Sequence, residues 1–138
     1  MSRKKPKKHR VRLISGKFYN VHDGSVRGHP GRIEKADYGN DEYISITTHS
    51  LTKEEYEKKK AEKSLRKDFV ELKERTSKDV YKSFAHKRPF IGTRDDYGEN
   101  EYPNMSFSPK DKATIQQIKS KTPRLGYWYK RKNKKAFK

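Results

Sequence analysis

The sequence predicts a mainly β protein with flanking helices, an α+β arrangement built on a small barrel or sheet. Three observations favour this class. A stretch at 32–48 reads as a hairpin, only 29% of the residues are hydrophobic, and the charge is concentrated at the two ends. Alternation with a period of two is typical of a strand with one buried face. So low an apolar content suits a small core with flexible ends.

The charge distribution predicts one domain between two basic arms. Lys and Arg number 36 against 18 Asp and Glu, a formal net charge of +18. Residues 1–12 carry seven of the basic residues and residues 119–138 carry nine, while every acidic residue lies between them. Blocks of like charge stay solvated and act as interaction segments. We expect 1–10 to be a flexible basic arm, 11–120 a single barrel-like domain, and 121–138 a flexible basic, aromatic tail.

The composition also excludes several classes of protein. The chain has no cysteine, hence no disulfide framework and no thiolate zinc site. The acidic cluster at 95–101 does not have the spacing of a calcium loop. No apolar stretch approaches the roughly 18 residues needed to span a bilayer, and no nucleotide-binding or serine-hydrolase motif is present. We expect a cytoplasmic protein with no cofactor, no metal and no membrane association.

The first half of the chain reads as short strands. Residues 11–21 predict two strands around Ser15 and Gly16, and the glycine-rich stretch 22–31 predicts a loop. The hairpin that follows has its arms at 32–37 and 42–48. In its second arm we expect one set of alternating side chains to face the core and the other to face outward; the inward set is Ile44, Ile46 and Thr48, and the outward set is Tyr43, Ser45 and Thr47.

A helical insertion is predicted next. Thr52 and Glu55 form the Ser/Thr-x-x-Glu pattern of a capping box, which favours a helix over 53–66. The stretch 67–75 fits either a helix or a strand. Residues 80–92 favour an extended chain, because the residue before a proline avoids the helical conformation.

The second helix has clear start and stop residues. After a predicted loop at 93–104, Ser108 is a candidate N-cap and Pro109 suits the first helical position. The helix is predicted over 109–120, and Thr122 with Pro123 ends it.

The C-terminal segment combines adjacent aromatic side chains with a basic run. Bases of single-stranded nucleic acid stack on aromatic rings while phosphates pair with Lys and Arg, so RNA is the expected partner. The alternative is that an aromatic ring packs back onto the domain, and both are compatible. The predicted RNA-binding residues here are Arg124, Tyr127, Trp128, Tyr129, Lys130, Arg131 and Lys132.

Residues 25–50, SVRGHPGRIEKADYGNDEYISITTHS, resemble the MazF/PemK toxin endoribonucleases and related phage and plasmid proteins. In that family an Arg and a Pro close the loop between the first two strands, and a later strand ends in Thr or Ser. The stretch SFSPKDKATIQQI also resembles the last helix of the family. The resemblance implies an SH3-like, toxin-type barrel, endoribonuclease activity and an acidic, antitoxin-like protein inhibitor. Gly28 and His29 depart from the family pattern, which places Arg directly before Pro.

Metal-independent RNA cleavage needs a proton acceptor for the 2′-hydroxyl and a cation for charge developing on the phosphate. Arg27 or Arg32 is a candidate for the cation, and Thr48 (or Thr47) for holding the phosphate. His29 and His49 suit acid–base exchange near neutral pH. The predicted catalytic residues are Arg27, Thr48, His49 and His29, and Arg32 is also a predicted RNA-binding residue.

Two functions therefore stay open. One is a toxin-like endoribonuclease. The other is a non-catalytic nucleic-acid-binding or ribosome-associated protein that binds through its basic arms. The sequence leaves the oligomeric state open, with a dimer among the alternatives.

Overall fold

The computed structural model describes residues 11–133 and confirms the mainly β class, with one antiparallel sheet and a few short helices. The strands are β1 (Phe18–Val21), β2 (His29–Asp37), β3 (Glu42–Leu51), β4 (Phe69–Glu71), β5 (Lys82–His86), β6 (Phe90–Gly92), β7 (Tyr97–Glu101) and β8 (Arg124–Leu125). The α-helices are α1 (Lys53–Glu57), α2 (Lys60–Leu65), α3 (Lys112–Lys119) and α4 (Tyr127–Lys132). Short 3-10 helices cover Tyr38–Asn40, Arg94–Asp96 and Pro109–Asp111. None of the helices described could cross a membrane, since each is too short and too polar.

The sheet is open rather than closed. Its main path runs β4-β5-β3-β2-β1-β7, with β6 beside β3 and β8 parallel to β6. The long strand β3 divides one of its edges, pairing with β6 over its first half and with β5 over its second. Over the described residues β4 and β7 end the main path and do not pair with each other. The predicted closed barrel is therefore corrected to an open sheet.

Both faces of β3 are buried, not one as predicted. Tyr43 packs with Ile33 and Tyr97 on the first face. Ile46 packs with Ile115 of α3 on the second, and its predicted burial is confirmed at 0% exposure. The second face is covered because α3 lies across it, which the alternating pattern of one strand does not reveal. Ile44, also expected in the core, is only half-buried.

Local sequence patterns predicted several elements correctly. The Thr52–Glu55 capping box forms as predicted, although the helix breaks into α1 and α2 at Lys59, which has a φ of 58°. The predicted helix at 109–120 is present as a 3-10 turn followed by α3. The stretch 67–75, which fits either a helix or a strand by sequence, contains the strand β4, which pairs with β5.

Other boundaries follow from strand pairing and were predicted wrongly. The stretch 11–21 contains one strand, not two, and β2 begins at His29 inside the predicted loop. The predicted loop at 93–104 contains β7, which pairs with β1. At 29–31 and 97–101 a polar or glycine-rich segment becomes a strand because a neighbouring strand offers its backbone.

The C-terminal segment is docked on the sheet over the described residues, where the sequence predicts a flexible tail. The buried carboxylate of Asp96 accepts hydrogen bonds from the backbone N–H groups of Trp128 and Tyr129 at 2.9 and 3.0 Å, and so caps α4. The rest of the predicted tail, 134–138, and the predicted basic arm, 1–10, lie outside the described residues.

Candidate active site

The loop between β1 and β2 is held in one conformation by Gly28. Its φ is +72°, and a Cβ there would lie 2.6 Å from the carbonyl oxygen of Val21. Only glycine satisfies both constraints. The side chain of Asn20 closes the loop by donating to the carbonyl of Arg27 at 3.1 Å. The chain therefore enters β2 with His29 fixed opposite Val21.

Strand register brings His29 and His49 together. Gly31 lies opposite Thr47 in the antiparallel pairing of β2 with β3. Continuing that register by two residues on each strand places His29 opposite His49. Both side chains are on the face that carries Tyr43 and Ile33 further along the sheet, because alternate residues of a strand share a face. One end of this face is thus apolar core and the other is polar.

Asp23, His29 and His49 form a hydrogen-bonded chain. Nδ1 of His29 lies 2.6 Å from Oδ2 of Asp23, and Nε2 of His29 lies 2.9 Å from Nδ1 of His49. The other oxygen of Asp23 accepts from the backbone N–H and the hydroxyl of Ser25 at 3.2 and 2.8 Å. The Asp23 side chain is only 6% exposed and that of His29 is 20% exposed.

The protonation of this chain follows from its partners. Burial by itself raises the pKa of Asp23, but hydrogen bonds from His29 and Ser25 outweigh it and lower the pKa to about 2. An ionised carboxylate only accepts, so Nδ1 of His29 carries the proton. When Nε2 of His29 accepts from Nδ1–H of His49, Nε2 of His49 carries no proton. Burial is the largest cause that lowers the pKa of His49, so His49 is neutral at pH 7 with a basic Nε2.

Arg124 places a half-buried cation on the same face. Its Nη2 donates to Oγ1 of Thr47 at 2.9 Å, and its guanidinium lies 5.5 Å from the ring centre of Phe90. Burial lowers the pKa of Arg124 to about 10, against the opposing charge of Asp23. The group thus stays charged at pH 7. Among the described residues its Nε has no hydrogen-bond partner.

His86 is a third histidine on this face. Thr48 lies opposite Ala85, so His86 is next to Thr47 on the neighbouring strand. Its Nδ1 accepts from the backbone N–H of Arg88 at 3.0 Å, which leaves the proton on Nε2. Burial and the charge of Arg124 lower the pKa of His86 to about 4. It is therefore a neutral donor at pH 7.

The ring of Phe69 in β4 lies among the three histidines. Its centre is 5.9 Å from those of His29 and His49 and 4.9 Å from that of His86. Beside it opens a cleft of about 390 Å³, which we call the His49 cleft. It is lined by His29, His49, Leu51, Ser64, Leu65, Asp68 and Phe69. Nε2 of His49, which has no partner among the described side chains, is thus the available base at this cleft.

The structure brings together two of the four predicted catalytic residues, His29 and His49. Thr48 is on the opposite face, has no exposed surface, and donates its hydroxyl to the carbonyl of Pro30 at 3.0 Å. Its hydroxyl is thus used within the fold, and its role in holding a phosphate stays a prediction. Arg27 is exposed in the loop.

Arg32 is also on the face opposite the histidines. It forms an ion pair with Glu34 and stacks 4.5 Å above the ring centre of Phe107. The alternation of β2 places Arg32 and His29 on opposite faces of the sheet. Arg124, predicted only as an RNA-binding residue, is on the histidine face, where it contacts Thr47.

The remaining predicted RNA-binding residues lie on α4. Tyr127 and Trp128 are 56% and 39% exposed and contact each other edge to face. The hydroxyl of Tyr129 instead donates to Glu42. Lys130, Arg131 and Lys132 are exposed. Because Glu42 begins β3, α4 lies about 23 Å along that strand from His49.

Sequence reasoning missed Asp23 and the ring of Phe69. The pattern Asp23-Gly24-Ser25 is typical of a turn in which the Asp side chain accepts a backbone hydrogen bond two residues on, and this one forms. That pattern indicates the turn but not its contact with His29. Phe69 reaches the histidines only through the pairing of β4 with β5.

Comparison of the chain with protein-family models, curated proteins and solved structures finds no match. Across the described residues, no group of three or more His, Asp or Glu side chains is arranged to hold a metal ion. The assignment of a function therefore depends on the geometry of the polar face.

Proposed function

We propose that this protein binds RNA and cleaves single-stranded RNA without a metal, using His49 as the proton acceptor. The observation that carries the proposal is the Asp23–His29–His49 chain, which ends in a basic nitrogen at an open cleft. The resemblance of residues 25–50 to the toxin endoribonucleases agrees with this proposal. A cytoplasmic location and an acidic, antitoxin-like inhibitor are further parts of the proposal. A carboxylate that orients a histidine, which in turn orients a second, is an arrangement suited to general base catalysis.

The reaction uses the RNA's own nucleophile. Nε2 of His49 removes the proton of a 2′-hydroxyl, and the 2′-oxygen attacks the adjacent phosphorus. The bond from phosphorus to the 5′-oxygen breaks, and that oxygen takes up a proton from a water molecule. The hydroxide left from this water removes the proton from the His49 imidazolium and restores the neutral base. The products are a 2′,3′-cyclic phosphate and a free 5′-hydroxyl, so atoms and charge balance.

The neighbouring groups stabilise the charges that develop. The imidazolium formed at His49 is hydrogen-bonded to His29, whose other nitrogen faces the Asp23 carboxylate. Arg124 supplies a fixed cation for the phosphate, and it is held in place by Thr47 and Phe90. Fixed charges in a partly buried site act more strongly than the same charges in water.

The direct test is incubation of the purified protein with end-labelled single-stranded RNAs, with and without EDTA. We expect cleavage in both, with cyclic phosphate ends detected by mass spectrometry. His49→Ala should lower the single-turnover rate by about 10²–10⁴. The exposed His22 is the matched control, and His22→Ala should leave the rate unchanged. Intact RNA at high concentrations of the wild-type protein would refute the proposal.

A second function is favoured by a separate observation on α4. Tyr127 and Trp128 are exposed beside Lys130, Arg131 and Lys132. Such a surface binds single-stranded nucleic acid without base specificity. If RNA is bound but never cleaved, the protein is a nucleic-acid-binding module, and co-sedimentation with ribosomes separates a ribosome-associated role from free RNA binding.

A further inference from the structure

The His49 cleft has the size and lining of a binding site for a planar ligand. Its volume of about 390 Å³ lies within the roughly 300–1,000 Å³ typical of small-molecule sites. Its walls include the apolar side chains of Leu51, Leu65 and Phe69. Phe69 is fixed by its pairing with His86 and by the surrounding imidazole rings. It thus offers a rigid aromatic surface within reach of His49.

Asp68 is the one carboxylate in the lining of this cleft. Its backbone is already committed, since its N–H donates to Leu65 and its carbonyl accepts from Lys87. Among the side chains that the structure describes, its carboxylate has no hydrogen-bond partner. Ser64 lines the same cleft and adds a hydroxyl. The cleft therefore combines a stacking surface with an acceptor at its edge.

A carboxylate discriminates among nucleobases. Cytosine and adenine present an amino group as donor, and guanine presents one in the minor groove, whereas the corresponding group of a uracil-type base is a carbonyl acceptor. At this position of the base, a carboxylate accepts a hydrogen bond from the amino group. It forms no hydrogen bond with the carbonyl, because both groups are acceptors. Sites built on hydrogen bonds to a ligand group reject analogues that lack it.

We propose that the His49 cleft binds the base of the nucleotide whose 2′-hydroxyl is deprotonated, and that Asp68 selects bases with an amino group over uracil. This inference rests on the proposed function in taking RNA as the ligand. It adds a base preference to the site. The attack at His49 then occurs next to a base stacked on Phe69.

The test measures binding rather than cleavage. The probes are 2′-deoxycytidine 3′-monophosphate and 2′-deoxyuridine 3′-monophosphate, which lack the nucleophile and are not cleaved. The histidine imidazole signals are followed by NMR during titration, with that of His49 assigned by its loss in His49→Ala. We expect the cytidine probe to shift the His49 signal at a concentration at least tenfold lower than the uridine probe does.

Substitutions at Asp68 sharpen the test. Asp68→Asn offers an amide that donates to the uracil carbonyl, so the preference should disappear or reverse. Asp68→Ala should bind both probes alike. Asp79→Asn, at an exposed Asp elsewhere, is the matched control and should keep the wild-type preference. A tenfold preference that survives in both Asp68 variants, or equal binding of the probes by wild type, overturns the inference.

The outcomes separate this inference from the proposed function. RNA cleavage by wild type with no base preference in the titration leaves the ribonuclease and removes the base site. Selective binding of the cytidine probe with no cleavage of any RNA supports the base site and removes the ribonuclease.

Discussion

Nε2 of His29 lies 2.9 Å from Nδ1 of His49, and this contact joins two strands at the polar end of the sheet. The contact ties the basicity of His49 to a carboxylate that His49 does not touch. Asp23 holds His29 from the other side at 2.6 Å. A change at Asp23 should therefore be detected at His49, which the following predictions use.

Removing the charge of Asp23 should impair the proposed cleavage without unfolding the protein. In Asp23→Asn the amide can donate to His29 and reverse its tautomer, so the single-turnover rate should fall by about 10². Ser25→Ala keeps the carboxylate and should have a smaller effect. An Asp23→Asn protein that cleaves as fast as wild type would contradict the proposed role of Asp23 in orienting His29 and His49.

The pH dependence should have a single acidic limb. Only neutral His49 accepts a proton, and burial is the largest cause that lowers its pKa. The rate should thus be constant near pH 7 to 8 and fall only below the ordinary histidine value of about 6.5. Single-turnover rates from pH 4.5 to 8 test this. A rate that rises as the pH falls would exclude His49 as the base.

His86 should make the fold less stable in mild acid. Its pKa is about 4 in the folded chain and about 6.5 when unfolded, so the unfolded state takes up a proton first. The free energy of unfolding should therefore drop by about 2–3 kcal/mol as the pH falls from 6.5 to 4. Urea unfolding of wild type and of His86→Gln, which keeps an acceptor for Arg88, should show a smaller drop in the variant. Equal drops would assign the loss to other groups.

The two arginines are predicted to differ. Arg124 is half-buried and donates to Thr47, whereas Arg27 is exposed. Arg124→Gln should lower cleavage by about 10²–10³, as loss of a group that stabilises transition-state charge does. Arg27→Ala should have a much smaller effect. A larger loss of cleavage in Arg27→Ala than in Arg124→Gln would identify Arg27, in the loop, as the cation of the site. That result would favour the pattern of the toxin family.

Thr48 is predicted to be structural. Thr48→Val leaves the Pro30 carbonyl without its donor and should lower the free energy of unfolding by about 1–3 kcal/mol. The cleavage rate at a temperature where both proteins are folded should stay near that of wild type. Thr48→Ser, which keeps the hydroxyl, is the control for stability. A large loss of cleavage rate in a stably folded Thr48→Val protein would instead indicate that Thr48 takes part in cleavage.

RNA affinity should depend on salt through α4. Replacing Lys130, Arg131 and Lys132 by Gln removes up to three phosphate contacts, so the slope of log affinity against log salt should decrease in magnitude by about 2. Cleavage at saturating protein should persist, because α4 is remote from His49. An unchanged slope would show that these residues do not meet phosphates.

The sequence by itself determined the elements whose causes are local. The capping box of Thr52 and Glu55 and the Ser108–Pro109 helix start each depend on residues within a few positions. Their side chains bond to backbone groups of the same segment, so the local sequence is enough to predict them. The mainly β class followed from the hairpin pattern at 32–48, whose two arms pair as β2 and β3.

The tertiary structure alone decided the edges of the sheet and the make-up of the site. β7 and β8 are polar or very short, and they are strands only because β1 and β6 offer backbone partners. The pairing of β8 with β6 carries Arg124 to Thr47, and the pairing of β4 with β5 carries Phe69 to the histidines. His29 and His49 were named from the sequence, but Asp23 was not. Contacts between residues far apart in sequence leave no local pattern, because the strand register that creates them is set by packing of the whole sheet.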